Sequence, residues 1–143
     1  MMKKKIRLLI SKKRKNKIVS LTAYSKNIAK ILDKHCDIIL VGDSMANVLY
    51  GMESTHQISI DNIIQHSISV RKGVKKSLMV VDMPYNTYRN SKEALKNAKL
   101  VMKKTKCDAV KLEGGKKIIP IVKSLTKNKI PVMGHLGILP QTE

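Results

Sequence analysis

Phenylalanine and tryptophan are absent from the 143 residues, and four tyrosines make up the whole aromatic complement. That leaves little on which unpaired bases could stack, which counts against a single-strand nucleic-acid binder. Acidic residues are also few, 10 against 29 Lys and Arg, for a formal charge of +19. The cations are nearly all lysine and are spread along the chain, so they read as a solvated surface and not as a base-reading patch. A basic nucleic-acid-binding protein is the remote alternative. Only Cys36 and Cys107 carry thiols, with no CxxC pair and no metal-site spacing, as in a reducing compartment. No apolar run approaches the ~18 residues of a membrane span. The start, MMKKKIRLLISKKRKNK, offers one short apolar patch, residues 6–10, between basic residues. That is too short for the ~7–15-residue core of a secretory signal. A cytoplasmic location is expected.

What is present suits one domain with a real core, since 43% of the residues are hydrophobic. Residues 1–16 form a basic segment, its part 5–16 predicted as a helix that caps the domain. IVSLTAY (18–24) reads as a strand rich in β-formers. Ser25 is placed to cap the next helix, with Ile28, Ala29, Ile31 and Leu32 at helical spacing. DIILVGDS (37–44) holds four consecutive apolar residues and then Gly-Asp-Ser, the pattern of a strand buried on both faces. Residues 45–59 read as an irregular loop. Asp61 is the expected cap of a helix bearing Ile63, Ile64, Ile68 and Val70 and ending near Gly73. LMVV (78–81) is a third strand. A helix starting at Ser91 follows, with Glu93 near the capping-box position. AVKLEGG (109–115) is a fourth strand, residues 118–125 a helix with Pro120 in its first turn, and PVMGHLG (131–137) a fifth strand. HCDIILVGD and KCDAVKLEGG form a weak internal echo. Strands and helices alternating in this way argue for an α/β fold with a parallel sheet and right-handed crossovers.

Asp43, Asp82, Glu113 and His135 each fall at or just past the end of a predicted strand, where α/β barrels keep their chemistry. Lys111 and Glu113 are two apart on one strand, so both leave the same face, and the apolar Val110 and Leu112 assign that face to the barrel interior. Charged groups inside a barrel need partners. Three carboxylates converging on one site suggest a hard divalent cation such as Mg²⁺, which takes a few carboxylates plus water and substrate oxygens. Lys111 is then a candidate for an anionic substrate, and His135 a candidate hydrogen-bond donor or proton carrier. His35, His56 and His66 fall outside this pattern and read as loop or surface residues.

In order along the chain, LTAY, DIILVGDS, the GMEST turn, VVDMP, NAKLVMK, AVKLEGG and PVMGHLGILPQ resemble the ketopantoate hydroxymethyltransferase family, over residues 6–143. The resemblance implies a (β/α)8 TIM barrel of the phosphoenolpyruvate/pyruvate superfamily, usually a decamer. The implied reaction is the Mg²⁺-dependent transfer of a one-carbon unit from 5,10-methylenetetrahydrofolate to 3-methyl-2-oxobutanoate, giving 2-dehydropantoate for pantothenate biosynthesis. By matching motif, Asp43, Asp82 and Glu113 would ligate Mg²⁺, and Asp43, Ser44, Asp82 and Lys111 would hold the keto acid. His135 would line the same site in a catalytic role. Ser25 and Glu53 depart from the family's acidic residue after TAY and its turn aspartate. A barrel takes ~250 residues, so the chain is expected to be a single partial barrel of about five βα units. The family's general-base glutamate would lie beyond its end, and the chain alone would be inactive. A related Mg²⁺-dependent enolate C–C lyase of the same superfamily is the alternative. Such enzymes carry a reactive cysteine in a barrel loop, and neither cysteine here is at a strand's C-terminal end.

Overall fold

The computed structural model describes residues 4–141. It holds a five-stranded parallel sheet in chain order, β1 (Ser20–Thr22), β2 (Ile38–Val41), β3 (Leu78–Asp82), β4 (Ala109–Glu113) and β5 (Val132–His135). Among the described residues β1 and β5 form its two edges. Helices α2 (Lys26–Leu32), α4 (Ile60–Arg71), α5 (Ser91–Thr105) and α6 (Ile119–Lys127) run between successive strands. α1 (Lys4–Ser11) precedes β1, and the short α3 (Met45–Tyr50) follows β2. In-order parallel pairing with a helix in every crossover is the build of a (β/α) barrel wall.

Strand periodicity sorts the side chains into two layers. Ile39, Val41, Met79, Val81, Val110 and Leu112 are at most 1% exposed and pack with Ala29, Ile63, Ala98 and Leu125 of the helix layer. Ile38, Leu78, Val80 and Ala109 form a second cluster on the opposite face with Leu40 and Met133. Ile6 and Leu9 of α1 pack against this inner cluster, so α1 covers the end of the sheet away from the site. Lys5 fixes α1 there by donating from Nζ to the carbonyls of Lys75 (2.9 Å) and Ser77 (2.8 Å). The capping role expected of the basic segment therefore falls to a helix that stops at Ser11, short of residue 16; Arg14 beyond it adopts φ 65°.

Two local expectations change, while α5 starts at Ser91 as expected. α4 is capped by Ser59, not Asp61: the Ser59 hydroxyl accepts from Asn62 N and Asn62 Oδ1 accepts from Ser59 N, both at 3.1 Å. This is a capping box with Asn in the usual Glu/Gln place. Ser25 occupies the cap position of α2 without making a side-chain cap bond. The first-turn amide of Lys26 instead donates to Ser69 Oγ of α4 at 3.1 Å. Asn90 caps α5, accepting from Glu93 N at 2.9 Å. α2 and α4 also meet closely at Gly73, where a Cβ would strike the Lys26 carbonyl oxygen.

Aspartates at the sheet's N-terminal end stitch neighbouring units together. Asp37 accepts from Val19 N at 3.1 Å, and Asp108 accepts from Met79 N at 3.1 Å. The Cys-Asp echo in the sequence is therefore a repeated structural role, an aspartate at a strand entrance holding the adjoining segment. Asp33 does more: its carboxylate accepts from the amides of Lys75 (2.9 Å), Lys76 (2.9 and 3.0 Å) and Ser77 (2.8 Å). Burial alone would raise this carboxyl, but the three amides outweigh it and hold it below the usual carboxylate range. Because the folded value lies below the unfolded one, the stabilisation is present above pH ~4 and lost as the pH falls through the folded value. Asp33→Asn is expected to cost about 3 kcal/mol at pH 7 by leaving buried amides unmet. Urea unfolding at several pH values checks this, the gap to the parent protein closing in acid.

Candidate active site

The C-terminal ends of β2, β3, β4 and β5 bring every residue singled out at strand ends to one end of the sheet. Asp82, the last residue of β3, is 2% exposed, and Lys111 of β4 donates to its Oδ2 at 2.6 Å. The register pairs Asp82 with Lys111 directly, and two residues on it pairs Glu113 with His135. The side chains of each pair then meet across adjacent strands. Lys111 and Glu113 do share the inner face, as their spacing predicts. Glu113 is 4% exposed, and His135 donates from Nδ1 to Glu113 Oε2 at 3.1 Å.

Asp43 and Ser44 follow β2 in the turn that opens α3. Asp43 is 7% exposed, and Ser44 Oγ lies 2.8 Å from the Tyr24 hydroxyl. Gly42 keeps this corner clear, since a Cβ there would lie 3.0 Å from Ser44 Oγ and 3.8 Å from Asp82 Oδ2. The helix α3 itself stands in the stretch read as loop. At six residues it is too short to display a period, and Gly51 closes it at φ 63°.

Sequence reasoning missed Gln141, whose side chain is 2% exposed at the centre of the cluster. Its Nε2 donates to Asp43 Oδ2 at 2.6 Å and to the Met83 carbonyl at 3.1 Å. Its backbone N–H donates to Glu113 Oε1 at 2.7 Å. Its Oε1 accepts from the Tyr88 hydroxyl, which also reaches the Glu113 carbonyl at 3.3 Å. Its carbonyl accepts from His56 Nε2 at 2.8 Å, and the His56 ring stacks on Tyr85 with centroids 3.8 Å apart. His56, read as a loop residue, thus braces the rim of the site. His66 lies elsewhere, between the Tyr24 carbonyl and the Tyr50 hydroxyl.

The electrostatics centre on Asp82. Burial raises its carboxyl, Lys111 works against the rise, and the Asp43 charge adds to it, leaving the group at about 7. One Asp82 oxygen, Oδ1, is buried with no hydrogen-bond partner among the described residues. Burial also pushes the Tyr88 phenol up, helped by nearby carboxylates, so its hydroxyl stays a donor. Among the described residues no group of three or more His, Cys, Asp or Glu side chains is arranged to hold a metal ion by itself. The chemistry of an oxygen-only set of acids still suits a cation that keeps water and substrate oxygens in its shell, as Mg²⁺ does, better than one that needs four protein ligands. The unmet Asp82 oxygen is a donor that such a cation would satisfy. Cys36 and Cys107 precede β2 and β4, at the opposite end of the sheet from the acids.

The same fold occurs in enzymes of the phosphoenolpyruvate mutase/isocitrate lyase superfamily. The chain superposes on phosphonopyruvate hydrolase, solved with oxalate and Mg²⁺, at a TM-score of 0.69 and 11% identity, covering 93% of this chain and 52% of that one. For 2,3-dimethylmalate lyase the TM-score is 0.65 at 10% identity, covering 94% and 51%. Sequence similarity is more specific. Residues 3–143 match the family model of ketopantoate hydroxymethyltransferase. The 3-methyl-2-oxobutanoate hydroxymethyltransferase of Pelagibacter ubique (strain HTCC1062) is 70% identical over 141 residues, 99% of this chain and 55% of that protein. The enzyme of that name from Rhizobium etli is 52% identical over 125 residues, 87% of this chain and 46% of that protein. The chain belongs to the ketopantoate hydroxymethyltransferase family. It spans about half the length of the curated relatives it matches.

Proposed function

We propose that this chain carries the cation- and keto-acid-binding residues of a 3-methyl-2-oxobutanoate hydroxymethyltransferase. The reaction joins 3-methyl-2-oxobutanoate to the methylene carbon of 5,10-methylenetetrahydrofolate, with water consumed, and releases 2-dehydropantoate and tetrahydrofolate. Family membership supports the reading, and so does the buried acid cluster at the strand ends. The observation that carries it is Asp82 Oδ1, a buried carboxylate oxygen without a hydrogen-bond partner among the described residues, in an acid cluster where Lys111 pairs with Asp82 Oδ2. Asp43, Asp82 and Glu113 would hold Mg²⁺. When bound, Mg²⁺ would act as a Lewis acid on the α-keto oxygen and make the C3 proton easier to remove.

The chain's own residues do the rest of the binding. Lys111 commits one of its three donors to Asp82 and keeps others for the anionic head of the keto acid. Ser44, held by Tyr24, offers a hydroxyl at the β2 corner. His135, held by Glu113, presents its other ring nitrogen as a donor or acceptor beside the substrate. A cytoplasmic homo-oligomer, a decamer in the family, is the proposed working form. No helix among the described residues is long and apolar enough to cross a membrane.

Calorimetric titration of the 143-residue chain with 3-methyl-2-oxobutanoate tests the proposal. Binding is expected to need Mg²⁺, with at least a tenfold weaker affinity in excess chelator, because the keto acid completes the cation's shell. Equal affinity with and without Mg²⁺ would remove the metal from the account, and no binding in either condition would remove the substrate.

A further inference from the structure

Gln141 takes no part in the ligand set above, yet it touches more of the site than any residue in it. It is fully buried, and each of its polar groups is used: Nε2 on Asp43 and the Met83 carbonyl, the backbone N–H on Glu113, Oε1 under the Tyr88 hydroxyl, and the carbonyl under His56. These contacts join residues 98, 58, 28, 53 and 85 positions away in the chain. Only one orientation of the carboxamide satisfies them. Its nitrogen faces two acceptors that cannot donate, and its oxygen faces a phenol that burial keeps protonated.

The bonds to Asp43 and Glu113 run from N–H groups to carboxylates, the stronger class of hydrogen bond. Each uses one oxygen, Asp43 Oδ2 or Glu113 Oε1, and so sets where the other oxygen of that carboxylate points. Asp82, the acid that Gln141 does not reach, is the one left with an oxygen unmet among the described residues. Carboxylates that ligate metals are themselves held by hydrogen bonds, and loss of such support costs affinity without removing a ligand.

We propose that Gln141 is the positioning residue of the cation site, a clasp that orients Asp43 and Glu113 together, with Tyr88 fixing its carboxamide. This rests on the reading that the acids hold a divalent cation. The clasp also explains why β5's exit loop returns over the site: the backbone N–H that holds Glu113 and the side chain that holds Asp43 belong to one residue.

The test is Mn²⁺ binding to the 143-residue chain, followed by electron paramagnetic resonance of the free ion, for the parent protein, Gln141→Met and Tyr88→Phe. Thermal unfolding is recorded alongside. Gln141→Met keeps the volume and loses both side-chain polar groups; it is expected to weaken Mn²⁺ binding ~10–100-fold. Tyr88→Phe removes one hydroxyl and is expected to weaken binding in the same direction by a smaller factor. Should Gln141→Met fail to fold, Tyr88→Phe decides alone. A purely structural role would lower the melting temperature and leave the affinity of the folded protein unchanged, which would overturn the proposal. Tighter binding in the variants would overturn it as well, by showing that Gln141 competes with the cation. A parent protein that takes up no Mn²⁺ would overturn the underlying reading of the acids, an outcome distinct from the other two.

Discussion

Asp82→Asn is expected to abolish divalent-cation binding and to flatten the fall in stability between pH 5 and pH 8. The two effects have one cause. A carboxylate that is 2% exposed, beside the Asp43 charge, resists ionisation despite Lys111, and so titrates near 7. Its folded value lies above the unfolded one, near 4. The contribution to stability is then full below pH ~4 and is lost as the pH rises through about 7. Asparagine keeps the shape, carries no charge and removes that slope. Cation binding should fall by more than the ~10–100-fold typical of a supporting residue, because the lost group is a proposed ligand. Urea unfolding from pH 5 to 8, with Mn²⁺ titration at pH 7.5, reads both effects. Unchanged cation affinity in Asp82→Asn would take Asp82 out of the ligand set.

Lys111→Met is the second large effect and has the opposite sign. Lys111 is the buried counter-charge of Asp82, at 2.6 Å, with 13% of its side chain exposed. Removing one partner of a buried pair leaves the other charge uncompensated, a cost of about 3–5 kcal/mol. The cost applies where Asp82 is ionised and shrinks at pH 5, where the acid is protonated and neutral. The double variant Asp82→Asn/Lys111→Met should recover much of the loss, because no unpaired carboxylate remains. A double-mutant cycle at pH 5 and pH 8 measures this coupling. The single change should also abolish keto-acid binding, through loss of the ammonium that meets its anionic head. If Lys111→Met unfolds no more readily at pH 8 than at pH 5, the pair is not the electrostatic centre of the site.

Most of the scaffold was legible because its signals are local. Runs such as IILV and LMVV mark strands buried on both faces, and the helix layer covers Ile39, Val41, Met79 and Val81 as that pattern requires. The two-residue period placed Lys111 and Glu113 on the inner face, and the register then sets them against Asp82 and His135. Helix caps were less legible. Ser, Asn and Asp crowd the starts of α4 and α5, and which of them caps depends on backbone geometry one residue either way. Ser59 and Asn90 prevailed. α2 shows a further limit, since its first amide is met by Ser69 on another helix.

Gln141, Tyr88 and His56 could not be read from spacing. Each acts through partners 25 or more positions distant, and the sequence shows no periodicity across such gaps. The one available signal was the PQ that closes the resembling string PVMGHLGILPQ, and it marks the family without assigning the glutamine a task. The acids, by contrast, end their strands, and a strand end is a position the sequence does reveal.

The most direct measurement is an anomalous-scattering map of crystals of this chain grown with Mn²⁺ and 3-methyl-2-oxobutanoate. A single strong peak is expected at the C-terminal ends of β2, β3 and β4, in contact with Asp82 Oδ1 and with Asp43 or its bound water, and the keto acid on the same ion. A peak elsewhere, or a keto acid bound at the acids with no ion beside it, would contradict it.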